Sequence, residues 1–344
     1  MCSVGNPLFF GLTASMQYRL LGKTGLRVSA LSFGAGPVSR LMVGDDVQRQ
    51  RDVIEYAIER GVNWFDTAAT YGNGLSEQNL GRVLDELAAA SRVYVATKIR
   101  LTTEDLGDIP GAVRRSVEAS LRRLKLSRVT LLQLHNAITP QRGDEPTSIT
   151  PDDVLGVGGV AEAFEDLRDS GLVGHLGLTG IGNPMSLAQV VRSERFETLQ
   201  VPYHLLNPSA GRDMPEDFAE TNYGNIIATC AEMQMGVLAI RVLAGGALAG
   251  NSPSPHTLKT PFFPLDLYER DRQRATQIRD VLGTERHLPE EAIRFALAHP
   301  QVSSALVGFA ERSQIDDALL AFDNKSSALN WDSICSVEPK TCSN

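Results

Sequence analysis

Short apolar runs rich in β-branched residues alternate with amphipathic stretches along nearly the whole chain, and this alternation restricts the possible folds more than any other feature. Apolar runs of this length are typical of strands buried on both faces of a parallel sheet. Between them, apolar residues recur at the helical period. The candidate strands are Val28–Phe33, Val62–Phe65, Val93–Thr97, Val129–Leu134, Val173–Leu178, Phe196–Val201, Gly236–Ile240 and Val302–Val307.

The helical stretches carry recognisable start signals. Proline is favoured in the first turn of a helix, where its missing N–H is not needed. Pro110, Pro184 and Pro289 stand near predicted helix starts, and Asp45 and Asp152 are predicted as N-caps.

Eight βα units in series leave two topologies, a closed barrel and an open doubly wound sheet. No dinucleotide-binding fingerprint follows the first strand, and eight repeats favour closure. The 344 residues could hold two domains, but a single barrel also has this length. We therefore predict one α/β barrel over residues 16–322, between a mobile extension (1–15) and a polar tail (323–344).

The net charge of −8 comes without a run of basic residues, which argues against nucleic acid or an anionic membrane as a partner. No apolar stretch is long enough for a membrane helix, and residues 1–15 lack the basic start of a signal peptide. The four cysteines lack metal-binding spacing. We expect a cytoplasmic protein without a metal site.

Two connections are unusually long, Asn136–Leu155 and Val242–Leu288. Both follow the carboxyl end of a strand, where barrel enzymes build their active sites. Within the second, Pro261–Leu265 could form a partly apolar substrate wall or simply pack on the barrel rim.

Polar side chains follow three successive strands. Asp66 and Tyr71 follow the second strand, Lys98 the third and His135 the fourth. Because the carboxyl ends of barrel strands meet at one mouth, these side chains are expected to converge. Each alone has a simpler explanation, as a helix cap, a rim residue or a packing residue. Their joint occurrence favours a reaction site.

Such a cluster suits proton donation to a carbonyl oxygen. A tyrosine with its ordinary pKa of about 10 is a poor acid at neutral pH. A nearby ammonium lowers that pKa, and a carboxylate paired with the ammonium holds it in place. An imidazole can orient the carbonyl oxygen and stabilise the alkoxide.

The segment Asp66-Thr67-Ala68-Ala69-Thr70-Tyr71-Gly72, followed by Lys98 and His135 in the same order, resembles the signature of the aldo-keto reductases. Residues 17–26 are similar to the β-hairpin that closes the bottom of the barrel in that family. The resemblance implies a single (β/α)8 TIM barrel. It also implies hydride transfer from NAD(P)H to a carbonyl, with Tyr71 as general acid.

The resemblance also implies the cofactor site. Gly180 replaces the family's usual asparagine, and Gln314 replaces an arginine that often clamps the 2′-phosphate. We therefore expect NADP(H) to be favoured and NAD(H) to be possible. The implied contact residues are Thr179, Gly180, Gln200, Arg241, Leu243, Gly245, Gly246, Gly308, Arg312, Gln314 and Asp317.

Two alternatives stay open at this point. One is a regulatory or binding subunit with the same fold, in the manner of potassium-channel β subunits. The other is a (β/α)8 enzyme of different chemistry, such as a metal-dependent hydrolase, but the sequence has no HxH motif. The substrate, an aldehyde, a ketone or a sugar, the direction of reaction and the oligomeric state are left open by the sequence.

Overall fold

The central element is a closed barrel of eight parallel strands, as the sequence predicts. The computed structural model describes residues 15–259, 265–283, 286–323 and 331–335. Hydrogen-bonded neighbours follow the chain order, and the last strand pairs with the first. The barrel strands are β3 Leu31–Gly34, β4 Trp64–Asp66, β5 Tyr94–Ile99, β6 Val129–Leu134, β7 Val173–Thr179, β8 Thr198–Pro202, β9 Gly236–Ile240 and β10 Val302–Val307.

Helices cover the outside of the barrel, and a large apolar cluster fills the space between helices and strands. The described helices are α1 Val47–Glu59, α2 Leu75–Glu86, α3 Ile109–Leu124, α4 Pro151–Leu155, α5 Val160–Asp169, α6 Pro184–Val191, α7 Ile226–Glu232, α8 Leu265–Leu282, α9 Leu288–Ala298, α10 Arg312–Leu319 and α11 Trp331–Cys335.

A short hairpin closes the bottom of the barrel, also as predicted. Its antiparallel strands are β1 Tyr18–Leu20 and β2 Arg27–Ser29. Leu21 and Val28 are fully buried and share a cluster with Trp64 inside the barrel. Burial of each aliphatic side chain stabilises the fold by roughly 1.5–3 kcal/mol. The amino-terminal end of the barrel is therefore filled, and the opposite end is left for a site.

The predicted first strand, Val28–Phe33, is wrong in its bounds. The run spans two elements, because β2 pairs with β1 whereas Leu31–Gly34 pairs with the neighbouring barrel strands. The backbone N–H of Ala30, between the two, bonds to Gln17. The sequence does not show this change of pairing strand, because both segments contribute buried residues and together read as one continuous apolar run.

Both predicted aspartate caps are also wrong. Asp46, not Asp45, caps α1 by accepting from the N–H of Arg49. Helix α4 is capped by Thr150, and Asp152 lies inside that helix. The predicted prolines do stand in the first turn of α3, α6 and α9.

The two long connections contain structure of their own. The first holds α4, and Ile138 forms isolated bridges to Ile149 and Gly182. The second holds α8, an 18-residue helix. Of the possible substrate wall Pro261–Leu265, residues 261–264 lie outside the described residues, and Leu265 is the first residue of α8.

The polar tail predicted at 323–344 includes one described helix, α11. The Trp331 ring packs edge-on against Phe295 at 5.7 Å, and Ile334 is buried. This part of the tail therefore contains regular structure. The bounds of the extension and of the tail stay predictions. Across the described ranges, no helix is long and apolar enough to cross a membrane.

Candidate active site

The carboxyl ends of β4 and β5 bring three of the predicted catalytic residues together. Side chains alternate along a strand, so Tyr94, Ala96 and Lys98 share the inward face of β5. Trp64 and Asp66 share that of β4, and the pairing of Asp66 with Ala96 sets the register between the two strands. This register places the Lys98 ammonium beside the Asp66 carboxylate.

The Lys98 ammonium makes three hydrogen bonds inside the barrel. It donates to Asp66 Oδ1, to the Thr67 carbonyl at 2.9 Å and to Tyr71 Oη at 3.3 Å. Burial by itself would lower the pKa of Lys98, but the Asp66 carboxylate and Tyr71 outweigh it and raise the pKa. Lys98 therefore stays a cation next to the phenol at neutral pH.

Asp66 is fixed from the other side by two glutamines that point into the barrel. Gln133 Nε2 donates to Asp66 Oδ2 at 3.1 Å, and Gln200 Nε2 donates to the same oxygen. The buried ion pair is thus saturated with hydrogen bonds, which offsets part of its desolvation cost. Lys98 has little freedom to move away from Tyr71.

Tyr71 stands in the turn between β4 and α2. Gly72 adopts φ +58°, and a Cβ there would lie 3.0 Å from Val43, so the turn favours glycine. Ser76, the second residue of α2, anchors this turn. Its N–H donates to the Tyr71 carbonyl, and its hydroxyl donates to the Ala35 carbonyl at 2.7 Å. The phenol therefore sits on an anchored segment.

His135 follows β6 and faces Tyr71 edge-on, with ring centroids 5.8 Å apart and an interplanar angle of 82°. Its backbone N–H donates to the Ile99 carbonyl at 2.7 Å. Burial, and then the charges of Lys98 and Arg100, hold the pKa of His135 well below its usual 6.5. The imidazole is neutral at physiological pH.

This neutral state predicts the pH behaviour of His135. Its pKa in the folded protein lies below 6.5, so protonation needs more acid than a free imidazole does. We expect no titration of its ring resonances between pH 6 and 8 in two-dimensional NMR, with the signal assigned by its loss in His135→Gln. A chemical-shift step near pH 6.5 would contradict the assignment of a neutral imidazole.

A cavity of about 730 Å³ opens at this end of the barrel and contains all four residues, a volume typical of small-molecule sites. Its lining includes most of the predicted cofactor residues. These are Thr179, Gln200, Arg241, Leu243, Gly245, Gly246, Gly308 and Gln314.

Several features of this lining fit a nicotinamide cofactor. Thr179 Oγ1 donates to the Leu134 carbonyl at 2.5 Å, so its oxygen can still accept from an amide such as a carboxamide. Gly245 and Gly246 adopt φ +68° and +109°, and a Cβ on Gly246 would lie 3.2 Å from the Tyr268 hydroxyl. The resulting side-chain-free turn suits close approach of a pyrophosphate.

Arg241 lies partly buried at the same mouth. Burial lowers its pKa to about 10, against the opposing effects of Tyr223, Tyr71 and Asp271. The guanidinium is therefore still charged at neutral pH, and its plane can stack on an aromatic ring.

Three predicted cofactor residues lie outside the cavity lining. Gly180 packs against Val201, and Asp317 is exposed on α10. The Arg312 guanidinium lies over the Tyr56 ring, 5.4 Å from its centroid, and 3.9 Å from Asp52.

Gln314 does line the cavity, but its amide oxygen already accepts from the N–H groups of Ala310 and Glu311, at 2.7 and 3.3 Å. It therefore caps its own helix. In this arrangement the N–H groups of Ala310 and Glu311, which directly precede the first residue of α10, are occupied by the protein itself.

Sequence reasoning missed three residues of the cavity region. Gln133 contacts Asp66, and Arg100 and His256 line the cavity. Strand periodicity could have found Gln133, a polar residue on the inward face of an apolar strand, and Arg100, which follows Lys98 by two positions. His256 lies in a long loop where periodicity gives no signal.

Comparison with known proteins gives a consistent result. The model of the aldo/keto reductase family matches residues 31–338. The chain is 26% identical over 328 residues to L-galactose dehydrogenase of Arabidopsis thaliana, covering 94% of this chain and 93% of that protein. It is 27% identical over 329 residues to a probable voltage-gated potassium channel subunit beta of the same plant, covering 90% and 92%.

Among solved structures, the chain is similar to an aldo-keto reductase of Bacillus halodurans in its holo form. The TM-score is 0.67 at 22% identity, with 94% of this chain and 99% of that chain covered. This likeness concerns the fold.

Proposed function

The chain belongs to the aldo/keto reductase family of oxidoreductases, and on that premise we propose that it reduces an aldehyde or ketone with a nicotinamide cofactor, Tyr71 being the proton donor. The observation that carries the proposal is the contact of the Lys98 ammonium with both Asp66 and the Tyr71 hydroxyl. The reverse reaction, oxidation of an alcohol or a sugar, uses the same groups.

Each residue of this cluster has a separate role. Tyr71 Oη gives its proton to the carbonyl oxygen and becomes a phenolate. Lys98, 3.3 Å from that oxygen, stabilises the phenolate electrostatically. Asp66 keeps the ammonium in place and neutralises its charge before the reaction. His135 is neutral and offers an N–H to the same carbonyl oxygen, which orients it towards Tyr71.

The cofactor is proposed to lie across the mouth from Thr179 to α10. When bound, nicotinamide supplies a hydride equivalent to the carbonyl carbon. Thr179 and Gln200 would hold its carboxamide, Arg241 would stack near its ring, and Gly245 and Gly246 would admit the pyrophosphate. Gly308, which follows β10, lines the same cavity.

A second function, a regulatory or binding subunit, is favoured by one observation, the likeness to a potassium-channel β subunit. A turnover assay distinguishes the two proposed functions. We expect oxidation of NADPH or NADH, followed at 340 nm, with at least some members of a panel of aldehydes, ketones and sugars. A protein that binds cofactor but turns over none of them would favour the binding subunit.

We predict that both cofactors bind and that NADPH is favoured by a small margin. Arg312 is 53% exposed, and its 3.9 Å contact with Asp52 is weak enough to be exchanged for a 2′-phosphate. Gln314→Arg should tighten NADPH about tenfold, because an arginine–phosphate pair is charge-assisted. It would also free the N–H groups of Ala310 and Glu311. NADH affinity should hardly change.

The test is fluorescence titration of both cofactors against wild type, Gln314→Arg and Arg312→Ala at one ionic strength. Arg312→Ala should weaken NADPH selectively. An unchanged ratio of the two dissociation constants in both variants, with NADH bound as tightly as NADPH in wild type, would show that α10 does not recognise the 2′-phosphate.

A further inference from the structure

Arg100 lies on the side of the mouth away from the proposed cofactor loops. In the order of strands around the barrel, β5 stands opposite β9. The loop after β9 carries Gly245 and Gly246, whereas Arg100 directly follows β5 and lines the cavity. Arg100 is therefore placed where the substrate, rather than the cofactor phosphates, would lie.

The backbone around Arg100 is firmly held. The N–H of Leu101 donates to Asn136 Oδ1 at 2.9 Å, and Asn136 Nδ2 donates back to the Leu101 carbonyl at 2.9 Å. These bonds tie the end of β5 to the end of β6. The guanidinium is near enough to Tyr71 and His135 to interact electrostatically with both.

The cavity lining is rich in positive charge. It contains the cations Lys98, Arg100 and Arg241, and among its described residues Asp66 is the only carboxylate. Lys98 contacts Asp66, and Arg241 lies on the cofactor side and interacts with Asp271 behind the lining. Arg100 is the arginine of this lining that stands on the side away from the proposed cofactor loops.

His256 also belongs to this region. His256 is exposed on one side, but its partial desolvation, followed by the charges of Arg241 and Arg100, lowers its pKa, so its imidazole is neutral at physiological pH. A neutral imidazole donates one hydrogen bond and accepts one. An arginine binds carboxylates and phosphates through paired hydrogen bonds. Both side chains line the cavity, and both are chemically suited to bind an oxyanion.

We propose that the carbonyl substrate carries an oxyanion, a carboxylate or a phosphate, and that Arg100 binds this group while Tyr71 meets the carbonyl oxygen. The inference rests on the proposed reductase function. Arg100 thereby selects the substrate, and His256 adds a neutral hydrogen bond to the same group.

The first experiment compares matched aldehydes with the cofactor present. 4-Carboxybenzaldehyde is paired with methyl 4-formylbenzoate, and D-glyceraldehyde 3-phosphate with D-glyceraldehyde. We expect kcat/KM to favour the anionic member of at least one pair by tenfold or more, about 1.4 kcal/mol. Arg100→Met should reduce this ratio to near one, and Arg100→Lys should retain part of it. The pair with the higher ratio identifies carboxylate or phosphate.

The matched control is Arg122→Met. Arg122 is exposed on the last turn of α3, so this substitution removes the same charge away from the mouth. It should leave the ratio at its wild-type value, which separates direct binding from a change in net charge.

A binding experiment works without turnover. Calorimetry with the reduced cofactor present, with which an alcohol cannot react, compares 4-(hydroxymethyl)benzoate with 4-(hydroxymethyl)benzamide, in wild type and Arg100→Met. Preference for the benzoate that disappears in the variant supports the inference. The inference is overturned if wild type shows no preference for the anionic compound in either experiment, or if Arg100→Met leaves that preference unchanged. If no aldehyde is reduced, the proposed function fails, and the calorimetric comparison alone decides whether Arg100 binds the oxyanion.

Discussion

Tyr71→Phe is expected to lower carbonyl reduction by about 10²- to 10⁴-fold, the usual contribution of a positioned general acid, while cofactor affinity stays nearly unchanged. The substitution removes one oxygen atom from a side chain that stands in an anchored turn. The ring keeps its edge contact with His135, and Lys98 keeps its bonds to Asp66 and the Thr67 carbonyl. Only the proton donor is lost.

Stopped-flow reduction under single-turnover conditions and cofactor fluorescence measure the two quantities separately. Tyr203→Phe serves as a matched control, because the Tyr203 ring packs in the core on Phe295 at 4.9 Å and has no part in the proposed chemistry. A Tyr71→Phe variant with near-normal turnover would exclude Tyr71 as the acid.

Lys98→Met is expected to lower both activity and stability. The Tyr71 hydroxyl would lose the charge that stabilises its phenolate, and we expect at least a 10²-fold loss of reduction. The Asp66 carboxylate would remain buried without its cation, at a cost of about 3–5 kcal/mol in the free energy of unfolding. Urea denaturation measures that second effect.

The double variant Lys98→Met with Asp66→Asn separates the two effects. Removing both charges takes away the uncompensated buried carboxylate, so most of the lost stability should return. Activity should not return, since the charge beside Tyr71 is still absent. If stability and activity both recovered, Lys98 would act only through the fold. If neither recovered, Lys98 and Asp66 would not be coupled as the structure indicates.

The barrel and the convergence of the four polar side chains could be predicted because each has a strong local signal. Apolar runs at regular intervals predict parallel strands, and inward-pointing polar residues at the ends of three successive strands predict a common site. Asp66, Tyr71, Lys98 and His135 meet at one cavity because strand order and register follow the chain order. No long-range information was needed beyond that topology.

Other features could not be predicted because they depend on which of several possible groups a residue contacts in the folded chain. Arg312 is an arginine near the expected phosphate position, but it packs on Tyr56. Gln314 occupies the position of a clamp, but its amide caps α10. The apolar run at the first strand conceals an exchange of partner at Ala30. Residue type alone does not distinguish these alternatives.

The central claim is direct transfer of a hydride from the nicotinamide ring to a carbonyl held by Tyr71 and His135. It is tested most directly with NADPH deuterated at one or the other of the two C4 positions, in separate reactions with an aldehyde that the protein reduces. One of the two labelled forms of NADPH should deliver its deuterium to the carbinol carbon, as measured by mass spectrometry of the alcohol. The other form should keep its deuterium on the oxidised cofactor. An alcohol without deuterium in both reactions would contradict the account.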